Sequence, residues 1–559
     1  MAALVRLAAQ LTHALRREAL LESPYLSFRP VAADFAAFFS LLLGSPEHVP
    51  NPYTRGELAL ALAAFVPARG DPWWPVPAPA DETGGGAAPR VPADPPPLHL
   101  HLVAADAQRE PALCGTVRSL LSLYTTIGHT GRLGNHRDKL PFRAAIVAML
   151  ECLVSAAGSP HCAALAALAA DARDGPGLVS DFLNEFINDA DFYLDEAVKL
   201  VGDVKDDVGR VQRGEARVQH PDRERPGRFL DNDALQRSWL RGIRFELRSA
   251  GEQLRVLALL ATASDGVTHA LLSRRLRART ARFLNSLANT LLGPRRAALR
   301  LPPELMQQAG FRPRDLLVDF AAVLGRVAAA GPRCGAEPGE EGGTRWASRD
   351  GGTDAGPGAA VAGDDAGGGG GGGGDDASGG GGGAGSGDDL LAAALVGANA
   401  FLLQNFAEAP RVLLDPRQAE GRGHAQRLLV QRLAAQLQWL HRRLEVEGGR
   451  AAELADLLGE LPDACMDPIT ADLLEDPVLL PASRQIMHRP AILQQLLVDA
   501  QDPFTRTPLA AADLVELPRV RDAVRAWVAA KRAGGSGEAE EAAVARERAA
   551  AEEAAKAKK

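Results

Sequence analysis

The chain has 559 residues, a formal net charge of −8, a sequence pI near 5.9 and 46% hydrophobic residues. That length suggests several domains or one long repeat array, and the acidic balance argues against a general nucleic-acid binder, which carries a basic stripe. Five cysteines without CxxC spacing (Cys114, Cys152, Cys162, Cys334 and Cys465) offer neither a disulfide framework nor a metal site and suit a reducing compartment.

Aromatic residues make up only 5% of the chain and β-branched runs are short, so the expected class is mainly α. Met1 opens directly into an amphipathic pattern, not a signal peptide. Leu4, Leu7, Leu11 and Leu15 keep helical spacing until Ser23-Pro24 stops the run. Phe35, Phe38, Phe39 and Leu42 give the next apolar face, and Pro67 to Pro97 reads as a Pro/Gly-rich loop. Helical patterns resume near Leu113 and continue to about Ala330, with Leu183, Phe186, Ile187, Ala190, Leu194, Val198 and Val201 on one stripe. The acidic group Asp189, Asp191, Asp195 and Glu196 lies off that stripe. Without the glycine turn of a calcium loop, it reads as solvated or helix-capping, not metal-binding.

Residues 1–330 are therefore expected to form stacked helices in an armadillo-like α-solenoid, although no crisp repeat is visible. Residues 331–388, with an unbroken glycine run from Gly367 to Gly374, cannot bury enough apolar surface to offset their ordering entropy. They read as a disordered insert in a surface loop, or as a tether. Core helices resume over 389–458. There Leu390 to Leu403 is the most apolar run but too short to span a bilayer, and Leu429, Leu433, Leu437, Leu440 and Leu444 form another stripe.

A small α+β module is expected over 461–532, followed by a charged Ala/Glu/Lys tail over 533–559 that frays or stays disordered. The module opens with a Pro-framed loop, Asp467-Pro468-Ile469. A short apolar strand (Pro477 to Pro481), a helix (Arg489 to Asp499), a second loop (Asp502 to Leu509) and a closing amphipathic helix from Pro518 complete it. Val520, Val524, Trp527 and Val528 make the inner face of the closing helix, and Leu474 and Leu509 read as core. A module of this layout holding two zinc ions needs eight Cys/His ligands. This one offers only Cys465 and His488, and a lone Cys465 reads as a small buried hydrophobe, not a nucleophile.

This layout, with its DPI, DPV.LP and DPFTR.PL wording, resembles the U-box, a zinc-free RING-like fold. Four upstream segments resemble, in order, those of the ubiquitin conjugation factor E4 family, the U-box ubiquitin chain-elongation factors. They are Asn51-Pro52-Tyr53 with Arg55; His129-Thr130-Gly131 with Asp138-Lys139-Leu140 and Arg143; DFLNEFINDADFYLDEA from Asp181 to Ala197; and Gly310 to Leu317. Members of that family are usually longer at the N-terminus, so by resemblance the chain looks like the second half of one, whether naturally short or truncated.

The resemblance implies a U-box ubiquitin-protein transferase with no covalent intermediate, metal or other cofactor on the chain. Carried over residue by residue, it assigns Ile469 and Ala471 in the first loop, and Pro503, Arg506 and Pro508 in the second, to binding a ubiquitin-conjugating enzyme. Arg506 also takes the linchpin position, where a planar fork of donors can bridge enzyme and ubiquitin; its alternative is an intramodule salt bridge or cap. Two departures stand out. Ala471 occupies a position where many U-boxes carry an aromatic, and His488 replaces the usual Asp cap with a poorer one, a tolerated cap or surface residue. Expected partners are the ubiquitin-charged conjugating enzyme, ubiquitin, already ubiquitylated substrates and an AAA ATPase unfoldase, with no nucleic acid and no membrane insertion. The expected setting is protein quality control leading to proteasomal and ER-associated degradation, in cytoplasm and nucleus. The rival reading is a non-catalytic helical scaffold with a degenerate U-box, which Ala471 and His488 favour.

Overall fold

A computed structural model describes residues 38–63, 115–129, 136–155, 159–170, 177–213, 232–309, 313–334, 390–398, 401–415 and 424–557. The expected helix over Leu4 to Leu15, the loop Pro67 to Pro97, Thr130-Gly131, Gly310 to Arg312 and the glycine-rich insert after Cys334 lie outside them.

The N-terminal part is built from α1 (Pro52–Ala63), α2 (Gly115–His129), α3 (His136–Ser155), α4 (Pro160–Ala170), α5 (Leu178–Gln212), α6 (Asn232–Ala263), α7 (Asp265–Leu271), α8 (Arg277–Leu291), α9 (Pro303–Ala309) and α10 (Pro313–Cys334). After the insert come α11 (Leu390–Gly397), α12 (Leu403–Leu414) and the 35-residue α13 (His424–Leu458). Helix α10 continues through Gly331 to Cys334, four residues into the stretch expected to be disordered. Asn51 starts α1 in the ordinary way: its Oδ1 accepts from the Tyr53 amide at 2.9 Å, and Pro52 follows at the first helical position. The expected stripe on α5 is buried at Leu183, Phe186, Ile187, Ala190, Leu194 and Val201, chiefly against α6. Successive helices that pack together, such as α5 with α6 and α12 with α13, are compatible with a solenoid. Among the described residues no single helix is long and apolar enough to cross a membrane.

The acidic residues of α5 are where the structure departs from expectation. Asp189 is buried, not solvated. It accepts from Arg143 Nη1 of α3 and from the Tyr124 hydroxyl of α2. Arg143 Nη2 also donates to Glu185 at 3.1 Å, its guanidinium lies 4.7 Å from the Tyr124 ring centroid, and Gln253 of α6 donates to the Tyr124 oxygen at 3.1 Å. Hydrogen bonds from further groups help a buried ion pair offset its desolvation, and here side chains from four helices contribute, although Arg143 Nε is buried without a hydrogen-bond partner. Burial, reinforced by the neighbouring Asp189 charge, raises the Tyr124 phenol well above its ordinary range, so it remains a donor. Asp191 is likewise half-buried, 3.1 Å from Arg279; burial lifts its carboxyl to about 6 against the pull of Arg279. Arg275 reaches Asp181 at 2.7 Å. The acidic face of α5 thus clamps the start of α8.

The C-terminal module contains β1 (Pro477–Leu479), β2 (Ile486–His488), α14 (Arg489–Val498), β3 (Val515–Glu516), α15 (Pro518–Arg532) and α16 (Glu538–Ala557). The antiparallel sheet has order β2-β1-β3, with Val478 opposite Met487 and Leu479 opposite Ile486. Alternation along the strands divides the interior. Val478, Leu480 and Met487 join Ile492, Leu493, Leu509 and Leu514, while Leu479 and Ile486 join Cys465, Leu474, Val520, Val524 and Trp527. Leu454 and Leu458, the end of α13, enter the second cluster. Leu474, Leu509 and Trp527 are buried, as read from the sequence.

The tail requires a correction. Helix α16 is not a frayed exposed helix: its Val544 is fully buried in the Trp527 cluster, with Ala551 and Ala555 packed at the edge. Gly537 turns the chain back onto α15 at φ +74°, where a Cβ would sit 2.9 Å from Trp527 Nε1. Composition concealed this because a single valine and several alanines suffice to cover the module.

Candidate functional site

Three segments of the module share one turn. In Asp467-Pro468-Ile469-Thr470-Ala471-Asp472, Leu480-Pro481-Ala482-Ser483-Arg484-Gln485 and Asp502-Pro503-Phe504-Thr505-Arg506-Thr507, the first carbonyl accepts from the fifth amide, at 3.1, 2.8 and 2.7 Å. In each, the first amide donates to the sixth carbonyl at 2.9 Å. Proline presets φ at the second position. The fifth residue closes each turn in the left-handed region: Ala471 at φ 59°, Arg484 at 60° and Arg506 at 58°. The first and third turns are the two loops singled out by sequence; the middle one joins β1 to β2.

Asp467 and Asp502 bind these turns into one unit. Both are buried, with relative exposures of 1% and 0%. Asp467 Oδ1 accepts from the Ile469 and Thr470 amides, both at 2.9 Å, while its Oδ2 accepts from the His488 amide at 2.5 Å. Asp502 Oδ1 accepts from Phe504 at 2.9 Å and Thr505 at 3.3 Å, and its Oδ2 from Ser483 at 3.1 Å. Each carboxylate thus folds its own loop and fixes it to the hairpin, the first loop at the open end and the second at the turn. A strand pair three residues long spaces these anchor points by about 10 Å. Burial pushes the Asp502 carboxyl upward, but the hydrogen bonds from Ser483, Phe504 and Thr505 outweigh it and hold it below its ordinary range.

His488 is neither a side-chain cap nor a surface residue. It makes no side-chain cap bond; its half-buried Nδ1 accepts from the Asp476 amide at 3.2 Å. Burial lowers its pKa, against the opposing pull of Glu475 and Asp467, which keeps the ring neutral and able to accept. Arg489 next to it pairs with Asp476 at 3.1 Å and Glu516 at 2.6 Å, fastening the start of α14 to the sheet.

The clamped loops hold their apolar tips out to solvent. Ile469 is 53% exposed; Ala471 and Pro508 are exposed, and Pro503 is half-buried. Arg506 is exposed, and among the described residues its guanidinium has no ion-pair or hydrogen-bond partner, so the intramodule salt bridge is not formed. Three features escaped the sequence reading: Phe504, 44% exposed beside Pro503, and the two organising aspartates. The repeated Pro-framed hexapeptide was the signal that could have found them. Chemically the site offers exposed apolar contacts and an unpaired cation on rigid loops. Cys465 is buried and burial lifts its thiol to about 11, far from a nucleophile's range.

A three-stranded module with two carboxylate-organised loops on a helical body defines a U-box protein of the RING type. The sequence model described as the U-box domain matches residues 461–533, and that of the ubiquitin elongating factor core matches residues 11–327. The chain belongs to the ubiquitin elongating factor family. "Probable ubiquitin conjugation factor E4" of Arabidopsis thaliana is 25% identical over 486 residues, 86% of this chain and 36% of that protein. Ubiquitin conjugation factor E4 A of Pongo abelii is 22% identical over 503 residues, covering 89% and 38%. The E4 ubiquitin-protein ligase UFD2 of Saccharomyces cerevisiae is 38% identical over 79 residues, 14% of this chain and 8% of its own. The chain spans little more than a third of the first two relatives.

Proposed function

We propose that the protein is a U-box ubiquitin-protein ligase that recruits a ubiquitin-charged conjugating enzyme and promotes ubiquitin transfer to already ubiquitylated substrates. The observation carrying this reading is the pair of loops clamped by buried Asp467 and Asp502, which hold Ile469 and Phe504 out to solvent beside the unpaired Arg506. Ile469, Ala471, Pro503 and Pro508 form the docking contacts, and Arg506 bridges the docked enzyme and its ubiquitin.

The reaction requires no acid, base or nucleophile from this chain. A substrate amine attacks the thioester carbonyl, the carbon–sulfur bond breaks, and the thiol stays on the conjugating enzyme. The gain is orientational: a mobile thioester-linked ubiquitin is held where its carbonyl can be attacked. The helical body carries the substrate, and an AAA ATPase unfoldase delivers it for proteasomal degradation, including ER-associated degradation, in cytoplasm and nucleus. The rival scaffold reading rested on Ala471 and His488, and His488 fulfils a structural role without impairing the loops. The test is discharge of a ubiquitin-charged conjugating enzyme onto free lysine. The intact chain should accelerate it at least tenfold; a rate equal to that without the chain supports the scaffold.

A further inference from the structure

The terminal helix reaches the first loop through one side chain. Arg548, half-buried on α16, places Nη1 at 3.0 Å from the Asp463 carbonyl oxygen, 2.8 Å from that of Ala464 and 3.3 Å from that of Met466. The remaining carbonyl of that stretch, Cys465, accepts from the Leu474 amide at 2.8 Å. Residues 463–465 form a single 3-10 turn, so the carbonyls at its end converge on a small volume and present the negative pole of the turn. A delocalised cation with several donors suits that pole better than water does, because it is held there by a packed helix. The next residue is Asp467, whose carboxylate folds the loop that exposes Ile469.

Helix α16 is anchored independently of Arg548 by Val544 in the Trp527 cluster and by the close approach of Gly537 to the Trp527 ring. Anchor and contact lie four residues apart, one helical turn, so docking Val544 brings Arg548 to the turn. Both loops are tied to the hairpin by their aspartates, through His488 and Ser483, but no comparable brace from α16 reaches the second loop among the described residues.

We propose that Arg548 is a positioning residue for the first loop. By holding the carbonyls of 463–466, it fixes the stretch that enters the loop and so the presentation of Ile469 to the conjugating enzyme. This rests on the reading above for the partner, while the effect on the loop itself does not. Loss of the brace lets the loop populate arrangements that cannot dock. Apparent affinity then falls in proportion to the competent fraction, and the rate from the docked complex does not change.

The test compares the intact wild-type chain with Arg548→Met, which keeps the stem but no donor, and Arg548→Lys, which restores a cationic donor. Three quantities are read: amide exchange in residues 467–472 and in 502–507, affinity for uncharged conjugating enzyme, and discharge rate at saturation. Arg548→Met should speed exchange in the first loop and weaken binding, each by roughly threefold to tenfold. Exchange in the second loop and saturated discharge should stay at wild-type values, and Arg548→Lys should recover most of both losses. Unchanged first-loop exchange in Arg548→Met overturns the proposal, as does equal loosening of both loops, which marks a general stability role. If the wild-type chain binds no conjugating enzyme, the functional reading fails on its own, and first-loop exchange alone decides the brace.

Discussion

Replacing Asp502 by alanine should open the module locally without changing any exposed docking residue. The carboxylate accepts from the amides of Ser483, Phe504 and Thr505 and has no cationic partner among the described residues. Hydrogen bonds to a charged group contribute about 1.5–3 kcal/mol each. The Phe504 and Thr505 amides lie in a loop where water can replace the lost acceptor, whereas the bond to Ser483 ties two turns together and has no such substitute. A net loss of about 2–3 kcal/mol follows, roughly a 30- to 150-fold rise in the opening equilibrium. Amide exchange over residues 478–493 in the intact chain reads that opening directly. The sign of the pH dependence provides a second check. Because the folded state holds this carboxyl below its ordinary value, its stabilisation is present above about pH 3.9 and is lost as pH falls through the lower folded value. Asp502→Ala should remove that part of the acid sensitivity. A rise in exchange below about threefold at neutral pH would refute the assignment of Asp502 as the clamp.

Arg143→Met should lower the stability of the helical body by about 3–5 kcal/mol, because the buried Asp189 carboxylate loses its guanidinium partner; thermal unfolding followed by circular dichroism checks it. Below about pH 6.5 the module should open more readily, since His488 must stay neutral to accept from Asp476 and burial has lowered its folded pKa. That stability is full above the unfolded value and falls as the ring protonates; His488→Gln, which keeps an acceptor, should flatten the exchange profile of residues 475–478. Ala471→Gly should stabilise the first loop by about 1 kcal/mol by relieving a left-handed backbone, read as slower exchange at 467–472.

What the sequence made legible follows from how local the signals are. The stripe on α5 and the inner face of α15 depend on spacing within one helix, and both are buried as read except at Val198 and Val528, which are half-buried at the edges. The strand, the central helix and the two loops were visible because Pro and apolar residues punctuate them. Asp189 was misread because its partners stand 46 and 65 residues away, so nothing near it in the chain shows that it is buried. The clamping aspartates are hidden for a different reason: family resemblance marks the side chains a partner would touch, whereas only the repeat of DPITAD, LPASRQ and DPFTRT marks the scaffold beneath them. The docked tail was hidden by composition, since Val544 is one apolar residue among alanines and charges, and Arg548 is ordinary except in its contacts. The exposed tips Ile469 and Arg506 were found through resemblance; Phe504, at the corresponding place in the matching loop, was within reach of the same repeat.

The central claim is that exposed tips on clamped loops dock a conjugating enzyme and orient its ubiquitin, and the two functions should separate. The decisive measurement pairs affinity for uncharged conjugating enzyme with single-turnover discharge at saturation, for Ile469→Ala and Arg506→Ala in the intact chain. Ile469 has about half its surface left to bury, so its truncation should cost about 1–1.5 kcal/mol and roughly tenfold in affinity, with saturated discharge little changed. Arg506 gives up no internal ion pair, so its truncation should leave folding and affinity intact while lowering saturated discharge at least tenfold. Equal loss of affinity in both variants, or saturated discharge unaffected by Arg506→Ala, would contradict the account.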